Sequence, residues 1–326
     1  MLAFVLRRLA ITIPVIMLSS VLVFVLVAES GDPLAELRGR QPPVPRNVIE
    51  LRERQLNLDK PLAQRYWIWL SHFVTGDLGT SVDGAEVRPL LMDRLGVTLR
   101  MVFLATILSV LAAIVIGVIS AVRQYSAIDY TATFAGFLFL SMPVFWLAAL
   151  LKEYVGIGVN NAFGKQILYT IGEETPNLTG DWLSRFGNQL GHLVLPTIAL
   201  SLITYAAWSR YQRASMLDVM NSDYIRLAKA KGLRPRRVMI RHALRNALIP
   251  LTTVVAIDVG AIIGGAVITE RVFAWQGMGA LLLQGIDRND VNVVLAWLMV
   301  SGVVVIIFNL IADVLYAVLD PRIRYG

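Results

Sequence analysis

DYIRLAKAKGLRPRRVMIRHALRNALIP occupies residues 223–250. It holds eight Lys and Arg against one Asp, in a chain whose charged residues amount to only 16%. An apolar run flanks it on each side, at 191–209 and at 248–269. Asp223 stands where a helix N-cap is favoured, and Tyr224, Leu227 and Ala228 share a face at helical spacing. Gly232 reads as the left-handed residue just past a helix end, and Pro235 suits the first turn of the next helix. There Ile240, Leu244, Ala247 and Leu248 form an apolar stripe, with Arg237, Arg241 and Arg245 in a row beside it. The stretch therefore predicts two short basic amphipathic helices, bent at one glycine and tethered by apolar segments.

The rest of the composition says what kind of protein would carry such an elbow. Of 326 residues, 56% are hydrophobic, and the mean hydropathy is +0.63. Soluble domains carry more charge, so the balance indicates a membrane protein. The formal net charge of +7 then marks loops on the inner side and contact with anionic headgroups. Nucleic acid is not an expected partner, because no soluble basic domain carries the charge. Cysteine is absent, which excludes disulfides, thiolate metal sites and a cysteine nucleophile. The three histidines, His72, His192 and His242, lie far apart and show no ligand spacing; no metal and no cofactor is expected.

A helix needs about 20 apolar residues to cross the hydrocarbon. Six such runs occur, at 9–28, 101–122, 131–151, 191–209, 248–269 and 293–312. Only the fifth contains an Asp, Glu, Lys or Arg, namely Asp258. A central Asp costs about 2.5–3.5 kcal/mol on insertion, and each surrounding Val, Ile or Leu returns about 0.3–0.6 kcal/mol. The first run is too long for the apolar part of a signal peptide, and Leu26 suits a cleavage site poorly, so it reads as a retained helix. Arg7 and Arg8 place the N-terminus in the cytoplasm; six spans return the C-terminus, with Arg322 and Arg324, to the same side. The basic stretch is then cytoplasmic. The organisation expected is residues 1–28 as N-terminal end and first span, 29–100 as an external segment, and 101–326 as a five-span core including the loop 213–250.

Within 29–100, RQPPVPR (40–46) reads as a rigid turn and 47–58 as an amphipathic helix. The aromatic run YWIWLSHFV (66–74) fits either an interfacial belt or the small core of an external cap, and GDLGTS (76–81) is turn-rich. A second external loop, 152–190, shows no catalytic constellation; Lys152 and Glu153 at its start read as solvated.

On physical grounds alone the basic elbow has two readings: an amphipathic segment lying on anionic lipid, or a docking knob that passes motion from a soluble partner to the spans. Its letters resemble the cytoplasmic coupling loop of binding-protein-dependent ABC importer permeases, whose motif is E-A-A-x-x-x-G. Arg226 and Leu227 stand at the first two positions, and Ala228 and Gly232 match. The likeness is much closer to the B-type permease subunits of oligopeptide and dipeptide importers. Their strings D-Y-I-R-x-A-x-A-K-G-L and R-H-A-L-R-N-A stand at Asp223–Leu233 and Arg241–Ala247. LDKPLAQRYWIWL (58–70), ERVFAWQGMGALLLQGIDRND (270–290) and NLIADVLYAVLDPRIRYG (309–326) resemble further segments of that family, in the same order.

The resemblance implies an all-α polytopic membrane protein with six transmembrane helices, the ABC importer type I permease fold, and an external insertion after the first helix. It implies a bacterial plasma (inner) membrane location. It also implies an assembly with a second related permease, two cytoplasmic ABC ATPase subunits and an extracytoplasmic substrate-binding protein. Asp223, Tyr224, Ala228, Lys231, Gly232, Leu233, Arg237, Arg241, His242 and Arg245 would then form the ATPase-coupling elbow. The chain itself contains no G-x-x-x-x-G-K-[ST] loop, so the energy would come from the partner ATPases. Peptide is the substrate implied, with nickel, glutathione or haem as alternatives within the same machinery.

Asp258 has two readings, a pathway residue or a hydrogen-bonded Asp between helices, with Gly260 and Gly264 following it as small residues that allow close helix approach. Pro143 and Pro196 are candidate kinks. Asp313, at the end of the sixth span, reads as a structural anchor. An ion-driven secondary transporter would need paired ionisable groups or inverted repeats, and an intramembrane enzyme a Ser/Lys, paired Asp or His/Glu arrangement; neither pattern occurs. A membrane receptor whose elbow merely binds lipid would lack bound ATPase subunits.

Overall fold

A computed structural model describes the backbone of residues 2–319 and the side chains of 10–311 apart from 261 and 265. Arg7, Arg8, Asp313, Arg322 and Arg324 fall outside the described side chains. Among the described residues there is no strand, only a lone bridge between Thr80 and Glu86. The helices run in order α1 (Leu2–Ser30), α2 (Ala35–Arg38), α3 (Arg46–Gln55), α4 (Leu62–Val74), α5 (Val87–Val122), α6 (Ala127–Ser141) and α7 (Val144–Leu150). A π-helical turn, Leu151–Ile157, leads into α8 (Gly158–Phe163), then α9 (Trp182–Met220), α10 (Asp223–Ala230) and the short α11 (Pro235–Arg237). A second π-helical stretch, Val238–Leu244, joins α11 to α12 (Arg245–Val272), followed by α13 (Met278–Asp287) and α14 (Val291–Leu319).

Among the described residues five helices are long and apolar enough to cross a membrane, and α6 with α7–α8, bent by 110° at their break, meets the same length and hydropathy as a pair, a sixth span if the pair is one. The break sits at Pro143, which lacks the N–H that would continue the ladder and forces Met142 into extended backbone. The apolar run at 131–151 is thus two helices, broken at the candidate kink Pro143. Pro14, Pro196 and Pro250, by contrast, stay inside continuous helices.

The chain divides into two compact units, residues 1–98 with 276–306, and 99–275 with 307–326. In the first, α4 lies on α1 and α14. Phe24, Tyr66, Trp69 and Phe73 interlock with ring centroids 5.4–6.1 Å apart, and Leu70, Leu295 and Met299 close the cluster. Within the aromatic run, Trp69 is part of this core while Trp67 is 68% exposed. A second cluster joins Leu78, Val87 and Leu91 to Met278 and Leu281 of α13 and Val293 and Ala296 of α14. The turn 76–84 is pinned to α14 by Asp290, whose Oδ2 accepts from the Ser81 hydroxyl at 2.6 Å and the Val82 N–H at 2.9 Å, while Oδ1 accepts from Val293 N–H. At Gly84 (φ +84°) the Arg52 guanidinium occupies the space a Cβ would take, and the left-handed backbone favours glycine. Arg38 pairs with Asp32 and Glu53, and Arg288 with Asp83 and Glu36, tying α2 and α3 to the rest of this unit.

In the second unit α9 is the central helix, packed by α6, α7 and α12. Gly117 of α5 lets that helix approach it closely, since a Cβ there would stand 2.8 Å from Ser209 O and from Gln212 Cβ. Lys152, expected to be merely solvated, donates from Nζ to the Val272 carbonyl at 3.1 Å and so caps the end of α12.

Candidate functional site

The elbow at 223–250 folds as its letters require, with local corrections. Ser222 is the N-cap and Asp223 the first helical residue, one position later than expected; there its charge still complements the helix dipole. Lys231 ends α10, and Gly232 follows at φ +75°. The Gly232 N–H donates to Lys229 O at 2.9 Å and the Leu233 N–H to Ala228 O at 3.4 Å, the paired bonds of a Schellman stop. Nothing lies within 4 Å of where a Gly232 Cβ would be, so the glycine is required by backbone conformation and not by space. Arg234 is extended ahead of Pro235, which opens the next helix at its first position. That helix runs without interruption through the π-helical stretch into α12, so the second arm of the elbow is the beginning of the fifth span.

Burial fixes which face is held. Ile225, Ala228, Val238, Ala243 and Ala247 pack with Ala121 of α5 and Met216 of α9, and Leu233 lies against them. Burying Ile225 contributes about 1.5–3 kcal/mol to seating the elbow. Tyr224, Leu227 and Ile240, expected on the apolar stripes, are instead 43%, 56% and 54% exposed. Helical spacing identifies neighbours on a cylinder; it does not say which of two adjacent stripes meets the core. Asn246 Nδ2 donates to the Tyr224 hydroxyl at 3.1 Å, which ties the two arms together. Lys231, Arg237, Arg241 and Arg245 are exposed and His242 partly buried. The result is an uncovered surface on which apolar side chains and arginines alternate.

Beneath the elbow lies a feature that sequence reasoning missed. Asp129, on the first turn of α6, accepts two bonds from Arg213 of α9, Nε to Oδ1 and Nη2 to Oδ2, both at 2.7 Å. Ser120 of α5 donates to the same carboxylate through its hydroxyl, and the Tyr125 N–H donates at 2.9 Å. One buried carboxylate thereby gathers three helices just before the chain enters α10. The signal available was S-A-I-D (126–129), a capping pattern ahead of an apolar run: Ser126 Oγ does accept from the Asp129 N–H.

Asp258 is held by the Trp208 indole N–H at 2.8 Å, so the two helices α9 and α12 share it. Gly264 is exposed, and among the described residues nothing lies within 4 Å of a built Cβ, so none of them makes the close approach expected there.

A family profile described as "Binding-protein-dependent transport system inner membrane component" matches residues 113–325, and its N-terminal companion matches 1–87. The chain belongs to this family. The oligopeptide transport system permease protein OppB of Mycobacterium tuberculosis is 42% identical over 98% of both chains. The oligopeptide transport system permease protein AppB of Bacillus subtilis is 38% identical over the full length of both. The dipeptide transport system permease protein DppB of Escherichia coli is 35% identical, covering all of this chain and 99% of that one. Among solved structures, the inward-facing MetNI methionine ABC transporter superposes with a TM-score of 0.54 at 18% identity, over 71% of this chain and 96% of that chain. That likeness establishes the ABC importer permease fold and leaves part of this chain without a counterpart. The elbow and the Asp129–Arg213 pair fall inside the main family region, while α1 to α4 fall in the N-terminal one.

Proposed function

We propose that the chain is the B-type permease subunit of an ATP-driven importer of oligopeptides or dipeptides. It forms the translocation pathway with a second, related permease, receives substrate from an extracytoplasmic binding protein and is moved by two cytoplasmic ATPases. The observation that carries this reading is the elbow: a Schellman-stopped helix and the start of a span, seated on α5 and α9, with Tyr224, Leu227, Ile240 and the arginines left uncovered. The full-length likeness to peptide permeases supports the substrate class. In this reading the elbow and both termini are cytoplasmic and residues 29–100 lie outside.

Two helices fixed about one glycine suit a lever, because packed elements switch between discrete arrangements instead of bending continuously. Push on the exposed face would pass through Ile225 and Val238 to α5 and α9, and directly along α12. Asp258, bonded to Trp208, serves as a contact between helices, and the open flank at Gly264 faces the second permease.

Replacing Gly232 by valine tests the lever. A β-branched residue in the left-handed region costs about 1–2 kcal/mol, which the backbone relieves by leaving that conformation. Uptake in reconstituted vesicles is expected to fall about tenfold or more, the size of a typical coupling free energy, while the variant still inserts and its ATPases still hydrolyse ATP. Unchanged uptake would sink the lever. A purified assembly with no ATPase bound to the elbow would sink the wider reading.

A further inference from the structure

The apolar seat of the elbow is built from α5 and α9, and α6 contributes no residue to it. Yet α6 leads into the 110° bend, and α7 beyond that bend packs on both α9 and α12. A push delivered through the apolar seat alone therefore reaches α5 and α9 and has no direct hold on α6.

One carboxylate supplies that hold. Asp129 lies in the first turn of α6 and is 2% exposed. It accepts both Arg213 bonds from α9, the Ser120 hydroxyl from α5 and the Tyr125 N–H from the turn between α5 and α6. Both helical anchors adjoin the seat: Ser120 precedes Ala121, and Arg213 stands one helical turn before Met216. Among the described residues no other side-chain hydrogen bond joins α6 to α9. Farther along the seam the Arg210 guanidinium stands 4.5 Å over the Phe137 ring, and Phe139 meets Tyr205 edge-on at 6.5 Å. A bidentate Arg–carboxylate pair with two further donors is strong and directional. Hydrogen bonds from Arg213 hold the Asp129 carboxyl well below the usual carboxylate range, so it keeps its charge at cellular pH.

Motion passes between distant parts of a protein through contiguous packed and hydrogen-bonded groups. We propose that Asp129 is a positioning residue for transport: its carboxylate clamps α6 to the elbow's seat, so that α5, α6 and α9 move as one body when the elbow is pushed. The clamp stays closed through the cycle. Arg213 forms no other ion pair among the described residues, and opening would strand the buried acid without its counter-charge. The proposal rests on the coupling reading of the elbow.

The test uses the whole assembly in vesicles, with its binding protein and with every other subunit freed of cysteine. The quantity read is tri-alanine taken up per ATP hydrolysed. Asp129→Cys with Arg213→Cys removes the clamp and is expected to lower this ratio about tenfold or more. Joining the two thiols with a short bifunctional reagent should restore most of it, since the tether holds α6 to α9 without any charge. An unchanged ratio in the unlinked variant overturns the proposal, because the pair then serves stability alone. A linked variant that transports no better than the unlinked one also overturns it, because the pair must then open. A second measurement needs neither substrate nor removal of the pair. Spin labels at Tyr130→Cys of α6 and Tyr211→Cys of α9, both exposed positions, are expected to keep one separation with and without ATP and vanadate. A nucleotide-dependent change in that separation overturns the clamp even if the double variant fails to fold. Gly232→Val is measured beside both. If it takes up tri-alanine normally, the coupling reading falls and the clamp's role in transport falls with it. If it uncouples while the unlinked double variant does not, the clamp alone falls.

Discussion

Single buried polar groups set the tolerance of the second unit. The Asp129 side chain is 3% exposed and that of Arg213 28%. Truncating the acid to Asn would leave a guanidinium facing a neutral amide and deprive Ser120 and the Tyr125 N–H of a charged acceptor. Breaking a buried pair costs about 3–5 kcal/mol, and the lower end applies because Arg213 reaches solvent. Asp129→Asn is therefore expected to lower the thermal unfolding midpoint of the assembly. Adding Arg213→Gln should cost clearly less than the sum of the two single changes, and strict additivity would mean the pair is not coupled. Gln212, the residue before Arg213, is an opposite case. It is fully buried against Gly117, and neither its amide nitrogen nor its oxygen has a partner among the described residues. An unsatisfied buried amide costs about 1–3 kcal/mol, so Gln212→Met, of similar length, is expected to raise the unfolding midpoint. A lowered midpoint would mean that the amide is bonded in the assembled protein.

At the scale of elements, the join between the turn 76–84 and α14 depends on Asp290. Burial pushes its carboxyl up from the ordinary value, against the opposing hydrogen bonds from Ser81 and Val82. The sign follows directly. The folded state holds this proton more tightly than the unfolded chain, so stability rises as pH falls from neutral through the raised value towards the usual carboxylate range. As pH rises through the folded value, that contribution is lost. Unfolding midpoints of the intact protein are expected to show this slope, and Asp290→Asn, which cannot titrate, should flatten it. An unaltered slope in the variant would assign the effect to another group. The elements themselves were largely legible in the sequence. Apolar runs marked the spans, Gly232 and Pro235 marked the elbow's bend, and the glycines of 76–81 marked a turn, because each depends on local conformation alone. What escaped depends on contacts between distant residues. Asp129 meets Arg213 from 84 positions away, and of the two candidate kinks only Pro143 breaks its helix, by 110°, while Pro196 sits in an unbroken one, a difference that the proline alone does not reveal. The choice between the Tyr224–Leu227 stripe and the Ile225–Ala228 stripe was settled by Met216 and Ala121, which no periodicity reveals.

For the whole molecule the decisive quantity is which side of the membrane each charged loop occupies. The eight cations of 223–250 would be costly to translocate, whereas the mixed charges of 29–100 are spread over a segment longer than the roughly 60 residues within which the positive-inside bias acts. The natural absence of cysteine makes this directly measurable, because one introduced thiol is the only reactive one. Asp59, Lys165 and Arg236 are all exposed, so a small thiol at each position should be accessible without disturbing packing. In intact spheroplasts, a membrane-impermeant maleimide is expected to label Asp59→Cys and Lys165→Cys. Arg236→Cys should react only after permeabilisation, and then less in assemblies that retain their ATPases than in those stripped of them. Labelling of position 236 from outside would invert the topology and put the elbow beyond the reach of any cytoplasmic motor. Full labelling at 236 whether or not ATPases are bound would keep the topology but leave the exposed arginine face without its partner, returning the elbow to the lipid surface.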